Sequence, residues 1–194
     1  LGGGLSFHTA GLRSFRYGSV ADHVLELEYC NNKGEIRRLA RGQDGFDLFL
    51  GSEGMCGVIT GARLSTVPLL PHVWGLIFFF DDDDTAMDFA ARAEGLDCVS
   101  VLEYMDSACF RLADEYRDSL SALSGLPSAP DHHAAIYLEL ESDQEEAIEQ
   151  AAEELLCAAE ELGADPDKTW SASGDEVEQF RALHHAITEC VNMK

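Results

Sequence analysis

The sequence predicts an α+β protein of two parts, and three observations carry that prediction. Before Pro68 the apolar residues alternate as in strands around a hairpin turn. After Pro71 strands alternate with amphipathic helices, and the two prolines between these regions mark a break. The expected domains are residues 1–70 and 71–194.

In the first part Val24, Leu25, Leu27 and Tyr29 mark a strand over residues 24–31. Asn32-Lys33-Gly34 reads as its hairpin turn, where glycine can take a positive φ. The returning strand is residues 35–41. A glycine-rich loop follows over 42–57, and residues 58–67 alternate again as a strand.

The second part opens with residues 73–80, a strand apolar on both faces and therefore covered on both. Asp81 to Asp84 begin a helix, where the macrodipole favours negative charge, with Ala86, Phe89, Ala90 and Ala93 along one face. Residues 98–102 form the next strand. Asp106 caps a helix carrying Cys109, Leu112, Ala113 and Tyr116 inward, and 119–130 is a loop. A third strand covers 134–140. The clearest helix spans 145–162, with Ile148, Ala151, Ala152, Leu155, Leu156, Ala159 and Leu162 in one stripe and Gly163 closing it. A short strand at 169–173 precedes a terminal helix whose apolar side includes Val177, Phe180, Leu183, His184 and Ile187. This order matches a ferredoxin-like sheet with one extra helix.

Charge excludes some functions. Asp plus Glu number 36 against 13 Lys plus Arg, a formal net charge of −23. Nucleic acid is excluded as a partner because phosphate contacts need a basic surface, and an anionic membrane is disfavoured for the same reason. Much of the acid falls at 81–84 and along 145–161, and lysine is confined to Lys33, Lys168 and Lys194, so a salt-adapted surface is expected. No apolar run reaches membrane-spanning length, which with the lack of a signal-peptide pattern points to a cytoplasmic protein. The six cysteines are scattered without a C-x-x-C pair and read as buried thiols. The opening Leu-Gly-Gly-Gly, expected to serve a turn or a ligand contact, and the uncapped final helix read as cuts inside a longer polypeptide.

Several residues invite a chemical role. The Asp81–Asp84 run lacks the spacing of a calcium loop and reads as a solvated helix start. His132-His133 reads as an exposed loop feature. His184 and His185 lie about 100° apart around a helix, so only one can enter a pocket. No metal site is expected. Two stretches are more specific. Gly51-Ser52-Glu53-Gly54-Met55-Cys56-Gly57-Val58-Ile59-Thr60 lets backbone approach an anionic or planar ligand, although a tight structural loop explains it equally well. Residues 5–18 set the small Thr9, Ala10 and Gly11 among basic and aromatic side chains.

Four segments in order, Ser6 to Gly18, Asp22 to Glu28, Gly45 to Leu48 and Gly51 to Thr60, resemble the FAD-linked oxidases of the vanillyl-alcohol-oxidase fold, nearest the glycolate oxidase and D-lactate dehydrogenase group. The resemblance implies the later half of a PCMH-type FAD-binding domain followed by a ferredoxin-like cap over the substrate. It implies FAD as cofactor, a small 2-hydroxy acid as substrate and an electron-acceptor protein as partner. Phe7, His8, Thr9 and Ala10, with Glu53, Gly54, Met55, Cys56, Gly57, Val58 and Ile59, would then line the FAD cleft.

It also implies that a first glycine-rich loop and late histidine motifs lie outside these 194 residues, so the catalytic residues are not assigned and the chain alone should be inactive. Three departures stand out. His8 replaces the common asparagine, and Met55-Cys56 replaces Thr-Leu. In residues 183–189 His184 stands where the family has an arginine that, with the residue matching Thr188, holds the substrate carboxylate. Imidazole offers one bond where guanidinium offers two, so Arg181, one turn earlier, is an alternative ligand. The contrasting reading is a non-enzymatic acidic α+β module that binds a ligand or partner.

Overall fold

A computed structural model describes residues 1–193, and the chain divides between Leu69 and Leu70 into two units. In the first, strand β1 (Val24–Cys30) lies between β2 (Ile36–Ala40) and β3 (Val58–Leu64) in an antiparallel sheet. The hairpin joins β1 to β2 as expected. Asn31 Oδ1 accepts from the backbone N–H groups of Lys33 and Glu35, and Gly34 takes φ 77°. Val24 and Leu27 meet Leu5, Phe46 and Phe49 in a small core, to which the long loop before β3 contributes both phenylalanines.

The glycine run departs from expectation. Gly2–Ser6 is a short helix, α1, followed by the single turn α2 (Ser14–Tyr17). Packing explains it: a Cβ on Gly2 would stand 3.1 Å from the Ile59 carbonyl oxygen. Glycine here lets α1 lie directly on β3.

In the second unit the strands β4 (His72–Phe80), β5 (Val99–Asp106), β6 (Ala134–Ser142) and β7 (Trp170–Ser173) form an antiparallel sheet in the order β5-β6-β4-β7. That is the strand order of a ferredoxin-like fold. Helices α3 (Asp83–Ala93) and α5 (Glu145–Glu161) pack on one face, where Leu76, Phe78 and Phe80 of β4 join Ile136, Leu138 and Leu140 of β6. The alternate residues Ile77, Phe79, Ala135 and Tyr137 are also buried. Their face carries α4 (Ser107–Glu115) and α6 (Glu178–Met193), as the rings of Phe79 on Phe110 and Tyr137 on Phe180 show. The two-sided burial expected of β4 is thus explained by helices on both faces.

Helices α3 and α4 start where their sequence directs. Asp82 Oδ1 accepts from the Thr85 N–H and Asp106 Oδ1 from the Cys109 N–H. Three readings need correction. In α4 the most buried side chain is Phe110, because the helix is rolled so that Phe110 and Ala113 face the sheet. Cys56 and Cys157 are exposed and only Cys190 is buried, so the description of the cysteines as buried does not hold throughout. His132 is half-buried against Phe79 and Phe110, with Nδ1 donating to the Pro130 carbonyl at 2.6 Å; only His133 remains exposed.

Candidate functional site

Two sets of residues invite a binding role, one in each unit. In the first, backbone hydrogen bonds bring together the two small-residue segments singled out by sequence. Gly51 N–H donates to the Leu5 carbonyl at 3.2 Å, and Glu53 N–H to the Ser6 carbonyl at 2.9 Å. The turn after α1 is closed by Thr9 N–H donating to the Gly4 carbonyl. Phe7 to Ala10 and Ser52 to Glu53 therefore share one edge.

That edge holds unusual backbone. His8 (φ 52°) and Glu53 (φ 51°) are the two non-glycine residues at positive φ among the described residues. Such conformations cost roughly 1–3 kcal/mol each and collect at binding sites. His8 is held by its Nε2, 3.0 Å from Ser19 Oγ. Ser19 in turn donates through Oγ and N–H to Asp22, which holds the Asp22 carboxyl below the usual range. The same segments leave apolar side chains in solvent: Phe7 is 64% exposed, Val58 67% and Met55 89%. Strained backbone and exposed apolar side chains thus occur together on this edge. Gly54 to Val58 line a groove with Cys30, Asn31 and Asn32.

In the second unit, Arg181, His184 and Thr188 follow one another along a stripe of α6, flanking the residues it buries: Phe180, Leu183, Ala186 and Cys190. His184 is half-buried; His185 and Thr188 are exposed. The two imidazoles meet edge to face, with ring centroids 5.5 Å apart.

Arg181 is already engaged. Its Nε donates to Glu139 Oε1 at 2.8 Å and its Nη2 to Glu139 Oε2 at 2.6 Å, while Nη1 reaches Glu178. Glu139 is wholly buried in the middle of β6 and also accepts from the Tyr137 hydroxyl. The hydrogen bonds to Glu139 raise the Arg181 guanidinium above its ordinary value. Burial first, and the Glu139 charge second, raise the Tyr137 phenol. A two-bonded arginine–carboxylate pair of this kind ties α6 to the sheet rather than leaving a cation for a ligand.

Sequence reasoning passed over Glu139 and Tyr137. A signal was there: in AAIYLELES the positions 135, 137, 139 and 141 share a face, so an acid at 139 within an apolar strand required a cation opposite. Elsewhere, Asp83 accepts from the Tyr104 hydroxyl at 2.6 Å and lies 3.2 Å from His133 Nε2. These bonds lower the Asp83 carboxyl and push Tyr104 up to about 12. The acidic helix start is thus a solvated surface cluster. Among the described residues no helix is long and apolar enough to cross a membrane.

Residues 72–193 match the family of FAD linked oxidases, C-terminal domain. Over 97% of its length the chain is 28% identical to a probable mitochondrial D-2-hydroxyglutarate dehydrogenase of Oryza sativa subsp. indica, of which it covers 35%. Over 66% of its length it is 29% identical to glycolate oxidase subunit GlcD of Bacillus subtilis, covering 28% of that protein. The chain therefore spans about a third of the length of these curated relatives. A solved alkyldihydroxyacetonephosphate synthase shares the fold, with a TM-score of 0.65 at 16% identity over 95% of this chain and 36% of that one.

Proposed function

The chain belongs to the FAD linked oxidases, and from that premise we propose that it serves a flavoenzyme that oxidises a 2-hydroxy acid. Residues 1–70 are the later portion of its FAD-binding domain and 71–194 its cap over the substrate. The observation that carries this reading is the joining of Leu5 and Ser6 to Gly51 and Glu53 by backbone bonds, with His8 and Glu53 both held at positive φ. Two relatives, named for D-2-hydroxyglutarate and glycolate, support the substrate class.

When bound, FAD supplies the acceptor for the hydride leaving the substrate's α-carbon. The chain's own residues supply binding and position. Phe7, His8, Thr9 and Ala10, with Glu53, Gly54, Met55, Cys56, Gly57, Val58 and Ile59, hold the cofactor. His184 and Thr188 receive the substrate carboxylate, one through its imidazole and one through its hydroxyl. Arg181, bonded to Glu139, acts as a positioning residue that sets the height of α6. The electrons pass on to an acceptor protein.

His184→Ala in the full-length protein removes a donor to the carboxylate and raises KM, while His184→Arg, whose guanidinium grips a carboxylate with two bonds, restores tight binding. A KM indifferent to His184→Ala contradicts the assignment. By itself the 194-residue chain holds FAD weakly, since it spans only about a third of its relatives' length. Tight, stoichiometric flavin absorbance in the purified chain would contradict this.

A further inference from the structure

The first unit contains two cysteines, Cys30 and Cys56, and the fold brings both to one groove. Cys30 ends β1 and pairs with Val58 at the start of β3. Directly opposed residues of an antiparallel pair have Cα atoms about 4.5–5.5 Å apart. Cys56 lies two residues before Val58, in the turn that leads into β3, and lines the same groove as Cys30.

Gly57 carries the loop onto the end of β1. It takes φ 141°, and a Cβ placed on it would fall 2.6 Å from the Cys30 carbonyl oxygen. The loop chain thus runs directly over the last residue of β1, an approach that any side chain at position 57 would prevent. Cys30 is half-buried with its thiol 3.7 Å from the Asn31 carbonyl oxygen, and Cys56 is exposed. One thiol is open to an oxidant while the other is more sheltered in the same groove. That is the arrangement of an attacking and a resolving cysteine.

We propose that Cys30 and Cys56 form a reversible disulfide that clamps the Gly54–Gly57 loop to the end of β1. The oxidant is a small-molecule disulfide of the glutathione class. The Cys56 thiolate attacks one sulfur of that disulfide, giving a mixed disulfide and releasing one small thiol. The Cys30 thiolate then attacks Cys56 Sγ and releases the second. Two protein thiols are oxidised, one small disulfide is reduced to two thiols, and the two protons pass to the departing thiolates. This pairing does not depend on the loop's binding FAD.

The test is to incubate the 194-residue chain with oxidised glutathione, block remaining thiols by alkylation, and map the peptides by mass spectrometry. The expected result is a linked peptide pair joining residues 30 and 56, with two of the six cysteines lost to alkylation and recovered on reduction. Cys30→Ser stops the sequence at a stable glutathione adduct on Cys56, and Cys56→Ser leaves Cys30 unoxidised. Glutathione persisting on Cys56 in the unsubstituted chain, a link from either cysteine to another position, or full alkylation of both would overturn the proposal.

Discussion

A carboxylate with no solvent exposure is tolerable only because of the residue facing it. Glu139 in β6 is met by two nitrogens of Arg181, so removing the arginine strands a buried charge. Losing one partner of such a pair costs about 3–5 kcal/mol, whereas replacing both by apolar residues is often nearly neutral. Arg181→Met should therefore lower the urea-unfolding free energy by that order, and Arg181→Met with Glu139→Leu should recover most of it. A single-substitution cost below about 1 kcal/mol would show that the pair is not what seats α6. At Gly57 the constraint is steric. Gly57→Ala brings a methyl group onto the Cys30 carbonyl at an unfavourable φ, and should destabilise the first unit by about 1–3 kcal/mol in the same measurement.

Helices α3 and α4 of the second unit begin at aspartates, and the caps make pH-dependent contributions. The Asp106 carboxyl accepts from the Cys109 N–H and is held below the usual carboxylate range chiefly by that bond. A carboxyl lowered by folding stabilises above its unfolded value, roughly pH 3.9, and loses that contribution as pH falls through the folded value. Asp106→Ala should cost about 1 kcal/mol near neutral pH, with the gap from the unsubstituted chain narrowing below about pH 4, as followed by thermal unfolding at several pH values. A gap that stays constant would contradict the cap. Such caps, the hairpin at Gly34 and the stripe of α5 were legible in the sequence because each is set by neighbours along the chain. Less legible was whatever depends on contacts across the fold. The helical glycine run answers to Ile59, the roll of α4 to Phe79, and the half-burial of His132 to both Phe79 and Phe110. Of the candidate site, the two small-residue segments could be found, but not the backbone bonds that join them. The stripe on α6 could be found, but not the engagement of Arg181 by Glu139.

For the whole molecule, a net charge of −23 on 194 residues means self-repulsion that salt relieves. The acid is concentrated on outer surfaces such as the exposed side of α5, so the melting temperature should rise steadily from low to molar KCl; a flat or falling curve would show that repulsion is not limiting. At this scale the proposed function assigns the joined segments of the first unit and the α6 stripe of the second to one flavoenzyme. The most direct test is to mix the full-length, FAD-loaded protein with a panel of 2-hydroxy acids in the absence of oxygen and watch the flavin absorbance. Bleaching by at least one of them, slowed by His184→Ala, is the predicted result. An oxidised flavin spectrum unchanged by every 2-hydroxy acid, in a protein whose flavin a chemical reductant readily bleaches, would contradict the account.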